Sequence, residues 1–149
     1  FDAGEPMVHV RQGGWHALGA DAGALRKQVF VDEQKIPAEM EWDAADPVCL
    51  HAVAYNRLGV PLATGRLVEY APGVSKIGRM AVAATMRGSR IGRAVLDNLV
   101  QAARERGDTQ VLLHAQCSAA PFYLRAGFRQ QGERFDEAGI AHVAMVLDL

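Results

Sequence analysis

The sequence predicts an α+β (mixed α/β) fold, a single sheet with helices on its faces. Three observations carry that expectation. Residues 50–82 hold three strand-type segments in a row with a hairpin signal between the first two. Residues 90–106 follow with strong helical periodicity. Then the unbroken apolar run Val111, Leu112, Leu113 suits a strand buried on both faces, as in a parallel pairing.

The elements read in order as follows. Residues 7–15 form a short strand, and residues 21–31 a helix with Leu25, Val29 and Phe30 on one face. Residues 35–48 carry two prolines and several acids and read as a loop. Residues 50–55 and 61–70 are strands joined around residues 56–59, and residues 76–82 are the next strand. In the helix 90–106, Ile91, Val95, Leu99 and Ala102 recur at helical spacing, and Gly107 supplies the stop. Residues 111–115 follow as a strand. Ser118 caps a short helix running to Ala126, which Gly127 ends. Residues 128–135 and 141–149 close the chain as two strands around a turn at residues 137–139.

At 149 residues, half of them apolar, the chain suits one domain spanning residues 1–149. With 16 basic against 17 acidic side chains, the net charge of −1 argues against a nucleic-acid or membrane-surface partner. No apolar run approaches the ~20 residues that span a bilayer, and no signal-peptide pattern opens the chain. The start at Phe1 rather than Met reads as a trimmed chain. Cys49 and Cys117 stand far apart and join no ligand cluster, so no metal site is expected and a reducing cytoplasm is the default.

Charge is segregated along the chain. Residues 76–93 carry Lys76, Arg79, Arg87, Arg90 and Arg93 and no acid, whereas residues 32–46 set Asp32, Glu33, Glu39, Glu41, Asp43 and Asp46 against Lys35. A site holding a polyphosphate at one end and a cation at the other has this pattern. The basic turn lies between a strand and a long helix, where unpaired N–H groups and the helix dipole favour an anion. Gly88 and Gly92 let the backbone approach a ligand closely. The dinucleotide pattern G-x-G-x-x-G and the ATPase pattern G-x-x-x-x-G-K-[ST] are both absent from this stretch.

The string Arg79-Met80-Ala81-Val82, then R-G-S-R-I-G, then a long amphipathic helix resembles the acyl-CoA-binding motif of the GCN5-related N-acetyltransferase (GNAT) superfamily. Downstream, Gln116-x-x-Ala119-x-x-x-Tyr123-x-x-x-Gly127-Phe128 is similar to that superfamily's N-x-x-A-x-x-x-Y-x-x-x-G-F signature. The strings V-F-V-D-E-Q-K-I-P, E-W-D-A-A-D, H-A-Q and G-I-A-H-V-A-M resemble its small ElaA-like branch. Two departures stand out: Arg90 replaces the usual middle Gly, and Gln116 replaces the usual Asn.

The resemblance implies a mostly antiparallel sheet that splays between strands 76–82 and 111–115, with the pantetheine of acetyl-CoA in the gap. Backbone groups of Met80 and Val82 would pair with it, and an N–H near Met80 or Ala81 would polarise the thioester. N–H groups of Arg87, Gly88, Ser89, Arg90, Ile91 and Gly92 would cradle the pyrophosphate, with the side chains of Arg87, Arg90 and Arg93 in reach. Gln116, Ala119, Phe122 and Tyr123 complete the coenzyme A site, with Tyr123 as the acid for the leaving thiolate. Deprotonating a lysine-like acceptor, pKa ~10.4, costs on the order of 4–5 kcal/mol at pH 7, so a base is needed. Glu33 and Glu41 are the leading candidates, followed by His51, His114 and Glu69. His142 and Trp42 are candidates for lining the acceptor cleft. Cys117 reads as packing rather than as a covalent acetyl carrier. The implied activity is acetyl transfer to a cationic primary amine. The alternatives are a non-catalytic acyl-CoA-binding module and a nucleotide binder using the same turn. Oligomeric state stays open, with a homodimer the commonest assembly.

Overall fold

Short runs of β-branched and apolar residues punctuated by glycine lay out seven strands. The computed structural model describes residues 8–41 and 43–149. β1 (Val8–Gly13), β2 (Leu50–Asn56), β3 (Pro61–Ala71) and β4 (Val74–Val82) pair antiparallel in turn. β5 (Gln110–Gln116) joins β4 in parallel, and β7 (Ile140–Asp148) and β6 (Arg129–Glu137) follow antiparallel. The sheet order is β1-β2-β3-β4-β5-β7-β6, the mixed, mostly antiparallel sheet expected.

Two layers of helix cover the sheet. On one face, α3 (Ile91–Glu105) buries Ile91, Val95, Leu96, Leu99 and Ala103 in the main core, with Leu113, Ala115, Val143 and Met145 beneath. α4 (Ala120–Arg125) packs there too, after the 3₁₀ turn Cys117–Ala119. Gly65 of β3 makes room for this packing: a Cβ there would lie 2.4 Å from Met80 Sδ and 2.9 Å from Leu99 Cδ1. On the other face lie α1 (Trp15–Arg26), its π-helical continuation Lys27–Glu33, and the single turn α2 (Ala38–Glu41). Leu18 and Ala22 pack on Val53 and Tyr55, and Val29 and Phe30 on Ala81. Among the described residues no helix is long and apolar enough to cross a membrane.

The first helix departs most from expectation. It starts at Trp15 rather than residue 21, because an alanine-rich stretch (Ala17, Ala20, Ala22, Ala24) propagates helix early. Gly19 interrupts that stretch because the Trp15 ring lies over it, 2.7 Å from where a Cβ would sit. The loop expected at residues 35–48 contains α2. The closing hairpin turns at Ala138 and Gly139, both with positive φ (55° and 77°), as a tight right-twisting turn requires.

Candidate active site

β4 and β5 pair only from Val74–Ile77 against Gln110–Leu113. Beyond that point a cleft of ≈1380 Å³ opens between residues 78–82 and residues 114–116. A bulge in β4 contributes to the opening. Thr64 faces Ala81 but Arg66 faces Gly78, so β4 carries one extra residue there, and Arg79 adopts φ 52°. The bulge lets Ile77 and Met80, three apart in sequence, both pack on the α3 side. Arg79 turns to the opposite face, where its Nε donates to the Glu41 carbonyl at 3.1 Å and its Nη2 lies 3.3 Å from Asp43 Oδ2. Main-chain groups of residues 78–82 that face β5 have no strand partner among the described residues, so an extended ligand arm can take that place.

The basic turn lies at the head of α3 and opens onto the cleft. Arg87, Gly88, Arg90, Gly92 and Arg93 line the cleft beside Met80, Ala81 and Val82. Gly88 (φ 84°) and Arg90 (φ 69°) are both left-handed, and Arg90 is the N-cap of α3. The usual glycine at position 90 is thus replaced by a residue that must bear left-handed strain. Gly92 lets α3 approach β4, since a Cβ there would lie 3.0 Å from Val82 Cγ2. One expectation needs correction. Ser89 does not open onto the cleft: its hydroxyl and its N–H both bond the Met86 carbonyl and close the turn. The Ile91 side chain is core, leaving its backbone alone to serve a ligand.

Nor do the five cations form one patch. Arg87 Nη2 lies 2.7 Å from Glu33 Oε2, and Arg93 Nε 2.8 Å from Asp97 Oδ1. Arg90 has no ion-pair partner among the described residues. Lys76 and Arg79 face the far side of the sheet. Lys76 is half-buried, lines the cleft, and is held below the ordinary lysine pKa by burial.

Tyr123 lines the cleft from α4 together with Ala119 and Phe122. It is 7% exposed, with Phe122 and Phe128 edge-on at 5.0 and 5.9 Å. Burial pushes its pKa up to about 12. Its hydroxyl has no hydrogen-bond partner among the described residues, which leaves it available to a ligand. Gln116 reaches across the cleft to Gln34 at the end of the π-helical segment, each amide donating to the other at 2.9 and 3.4 Å. Cys117 packs against the main core.

The acidic segment is largely spent inside the protein. Arg26, 1% exposed, binds Glu41 and Asp46. Arg66 binds Asp43 through both nitrogens at 2.7 Å and Asp46 at 2.9 Å. Glu41, one of the two leading base candidates, lines the cleft but is 2% exposed and accepts from Arg26. Glu33, the other, is held by Arg87. His51 is buried away from the cleft, its Nε2 donating to the Asp46 carbonyl at 2.9 Å, and burial pulls its pKa down. Asp46, Cys49 and His51 place ligand-type atoms within 4.8 Å of one another, so Cys49 does stand in a group of ligand-type residues that its distance from Cys117 in the sequence did not reveal. Glu69 lies at the other end of β3, beside Arg106. Trp42 lies outside the described residues.

On the α1 side of the sheet a second group lines the cleft. Gln116 pairs with His142, which pairs with Phe135, while His114 and Glu137 sit two residues along, so all five share one face. A bulge between Gln131 and Phe135, with Gly132 at φ 84°, swings β6 into this position. Glu137 Oε1 lies 3.4 Å from His114 Nδ1, and its Oε2 lies 3.5 Å from His142 Nε2. Among the lining acids Glu41, Asp43 and Asp97 each bind an arginine, whereas among the described residues the close ion-pair contacts of Glu137 are to histidines, with the charge of Lys76 near. Sequence reasoning placed Glu137 in a turn and missed it. It also missed Arg26, although its spacing from Ala22 and Val29 puts it on a buried helical stripe.

A family model described as an acetyltransferase (GNAT) domain matches residues 27–149. The chain belongs to that family. An uncharacterized N-acetyltransferase of Bacillus subtilis, YjcF, is 36% identical over 129 residues, covering 86% of this chain and 91% of the relative. An acyl-CoA N-acyltransferase from Pseudomonas aeruginosa superposes with a TM-score of 0.82 at 32% identity, covering 93% of this chain and 98% of that one. Escherichia coli ElaA shares the fold, with a TM-score of 0.83 at 23% identity over 94% of this chain and 99% of that one. As a member of this family the chain is an enzyme of acyl transfer, and the β4–β5 opening is where this fold departs from a continuous sheet.

Proposed function

We propose that this GNAT protein moves an acetyl group from acetyl-CoA to a cationic primary amine. One observation carries the reading: the β4–β5 gap joins an arginine-bearing left-handed turn at the head of α3 to a buried tyrosine whose hydroxyl has no hydrogen-bond partner among the described residues. Coenzyme A lies with its pantetheine along residues 78–82, bonded to the backbone of Met80 and Val82 as a strand would be. An N–H near Met80 or Ala81 draws charge onto the thioester oxygen. The pyrophosphate meets the backbone of Arg87, Gly88, Gly92 and Arg93 and the free guanidinium of Arg90.

The amine nitrogen forms a bond to the carbonyl carbon, and collapse of the resulting oxyanion breaks the C–S bond. Tyr123 donates its proton to the departing thiolate and regains one from the acylated nitrogen. A tyrosine held near 12 stays a neutral donor across the physiological range. Glu137 supplies negative charge at the acceptor end and so favours a cation: among the described residues its carboxylate makes no ion pair with a lysine or arginine, although the charge of Lys76 lies near.

The test is acetyl-CoA consumption with polyamines, amino sugars, lysine peptides and protein N-termini as acceptors. Turnover on one class supports the reading and names the acceptor. Tight coenzyme A binding with no turnover on any of them supports the non-catalytic module instead.

A further inference from the structure

We infer that His142 Nε2 is the base that takes the acceptor's proton, with Glu137 holding the imidazolium that forms; this rests on the acetyl-transfer reading above. His142 Nδ1 lies 2.7 Å from the Ile140 carbonyl, an oxygen that only accepts, so Nδ1 carries the ring proton. The neutral ring therefore presents its lone pair at Nε2. That atom faces Glu137 Oε2 at 3.5 Å, so two acceptors confront each other and a donor entering between them satisfies both. An ammonium is such a donor. The ring is also fixed in place: His142 is 8% exposed and stacks on Phe135 at 6.0 Å. The groups that face it are Glu137 from β6, His114 from β5 through that same carboxylate, and the half-buried Lys76 from β4 near Glu137. Glu33 and Glu41 are already engaged by arginines.

The step balances. The acceptor ammonium gives one proton to Nε2, and the neutral amine then attacks the thioester carbon. The second nitrogen proton leaves as the C–S bond breaks and replaces the one given to the thiolate. His142 returns its proton to water.

The test compares His142→Gln with wild type on whichever amine the wild type acetylates. At pH 7 the variant loses on the order of 10² in kcat/KM for the amine, with coenzyme A affinity unchanged. Because an acceptor of pKa ~10.4 deprotonates unaided as pH rises, the gap narrows by about tenfold per pH unit. A gap constant with pH, or no gap at all, overturns the inference. A second measurement needs no variant: the long-range proton–nitrogen NMR spectrum of the wild-type imidazoles. It must show His142 protonated at Nδ1 when neutral, and a proton at Nε2 overturns the inference. Wild type inactive on every amine ends the parent reading, whereas active wild type matched by His142→Gln ends this inference alone.

Discussion

Arg87 Nη2 lies 2.7 Å from Glu33 Oε2, tying the turn before α3 to the end of the π-helical segment. The contact joins a residue expected to grip phosphate to one expected to act as a base. Both side chains are partly exposed, so the pair contributes under about 1 kcal/mol to stability. A bound pyrophosphate competes with Glu33 for the same guanidinium. Glu33→Gln is therefore expected to tighten coenzyme A binding by about two- to fivefold at low salt, with little change in melting temperature. Calorimetric titration at two ionic strengths checks this, and weaker binding would show that Glu33 helps hold the donor.

Arg90 bears left-handed backbone strain at φ 69°, and its guanidinium has no ion-pair partner among the described residues. Stability and binding should move in opposite directions on Arg90→Gly. Relief of strain is expected to raise unfolding free energy by about 1 kcal/mol in urea titrations. Loss of the cation is expected to weaken coenzyme A several-fold, less so at high salt. A variant that neither gains stability nor loses affinity would deny both roles.

Tyr123→Phe is expected to lower turnover on the order of 10²-fold and leave coenzyme A affinity within about twofold. The tyrosine also gives stability a pH signature. Burial favours its neutral form, so its contribution is present below pH 10 and is lost as pH rises from about 10 through about 12. Unfolding titrations at pH 9 and pH 11 should show a steeper fall for wild type than for the phenylalanine variant. Unchanged turnover would remove the hydroxyl from the chemistry.

The Arg26–Asp46–Arg66 chain is buried, so removing one charge strands the others. Asp46→Asn is expected to cost about 3–5 kcal/mol in denaturant unfolding. Burial alone would raise Asp46, but the guanidinium of Arg26 and then that of Arg66 outweigh it; hydrogen bonds from Arg66 lower Asp43 as well. Both carboxylates thus contribute stability above the ordinary carboxylate range that is lost as pH falls below about 3.8. An Asp46→Asn protein as stable as wild type would show that the network is dispensable.

What could be read from the sequence was what depends on local pattern. The spacing of Ile91, Val95 and Leu99 located α3 within one residue at either end, and the run Val111, Leu112, Leu113 marked β5 as the parallel strand. Glycines flagged the turns. Contacts between distant residues were not legible. Which arginine answers which acid depends on partners 15 to 54 residues apart, so residues 32–46 read as the cation-binding end of a site. The bulges at Arg79 and after Gln131 shift registers without a unique sequence mark, and the second delivers Glu137 to His142.

A crystal structure with coenzyme A bound tests the central claim most directly. The account predicts pantetheine running between residues 78–82 and 114–116, its sulfur beside the Tyr123 hydroxyl and its pyrophosphate over the first turn of α3. Coenzyme A found in any other part of the molecule, or Tyr123 remote from the sulfur, would contradict it.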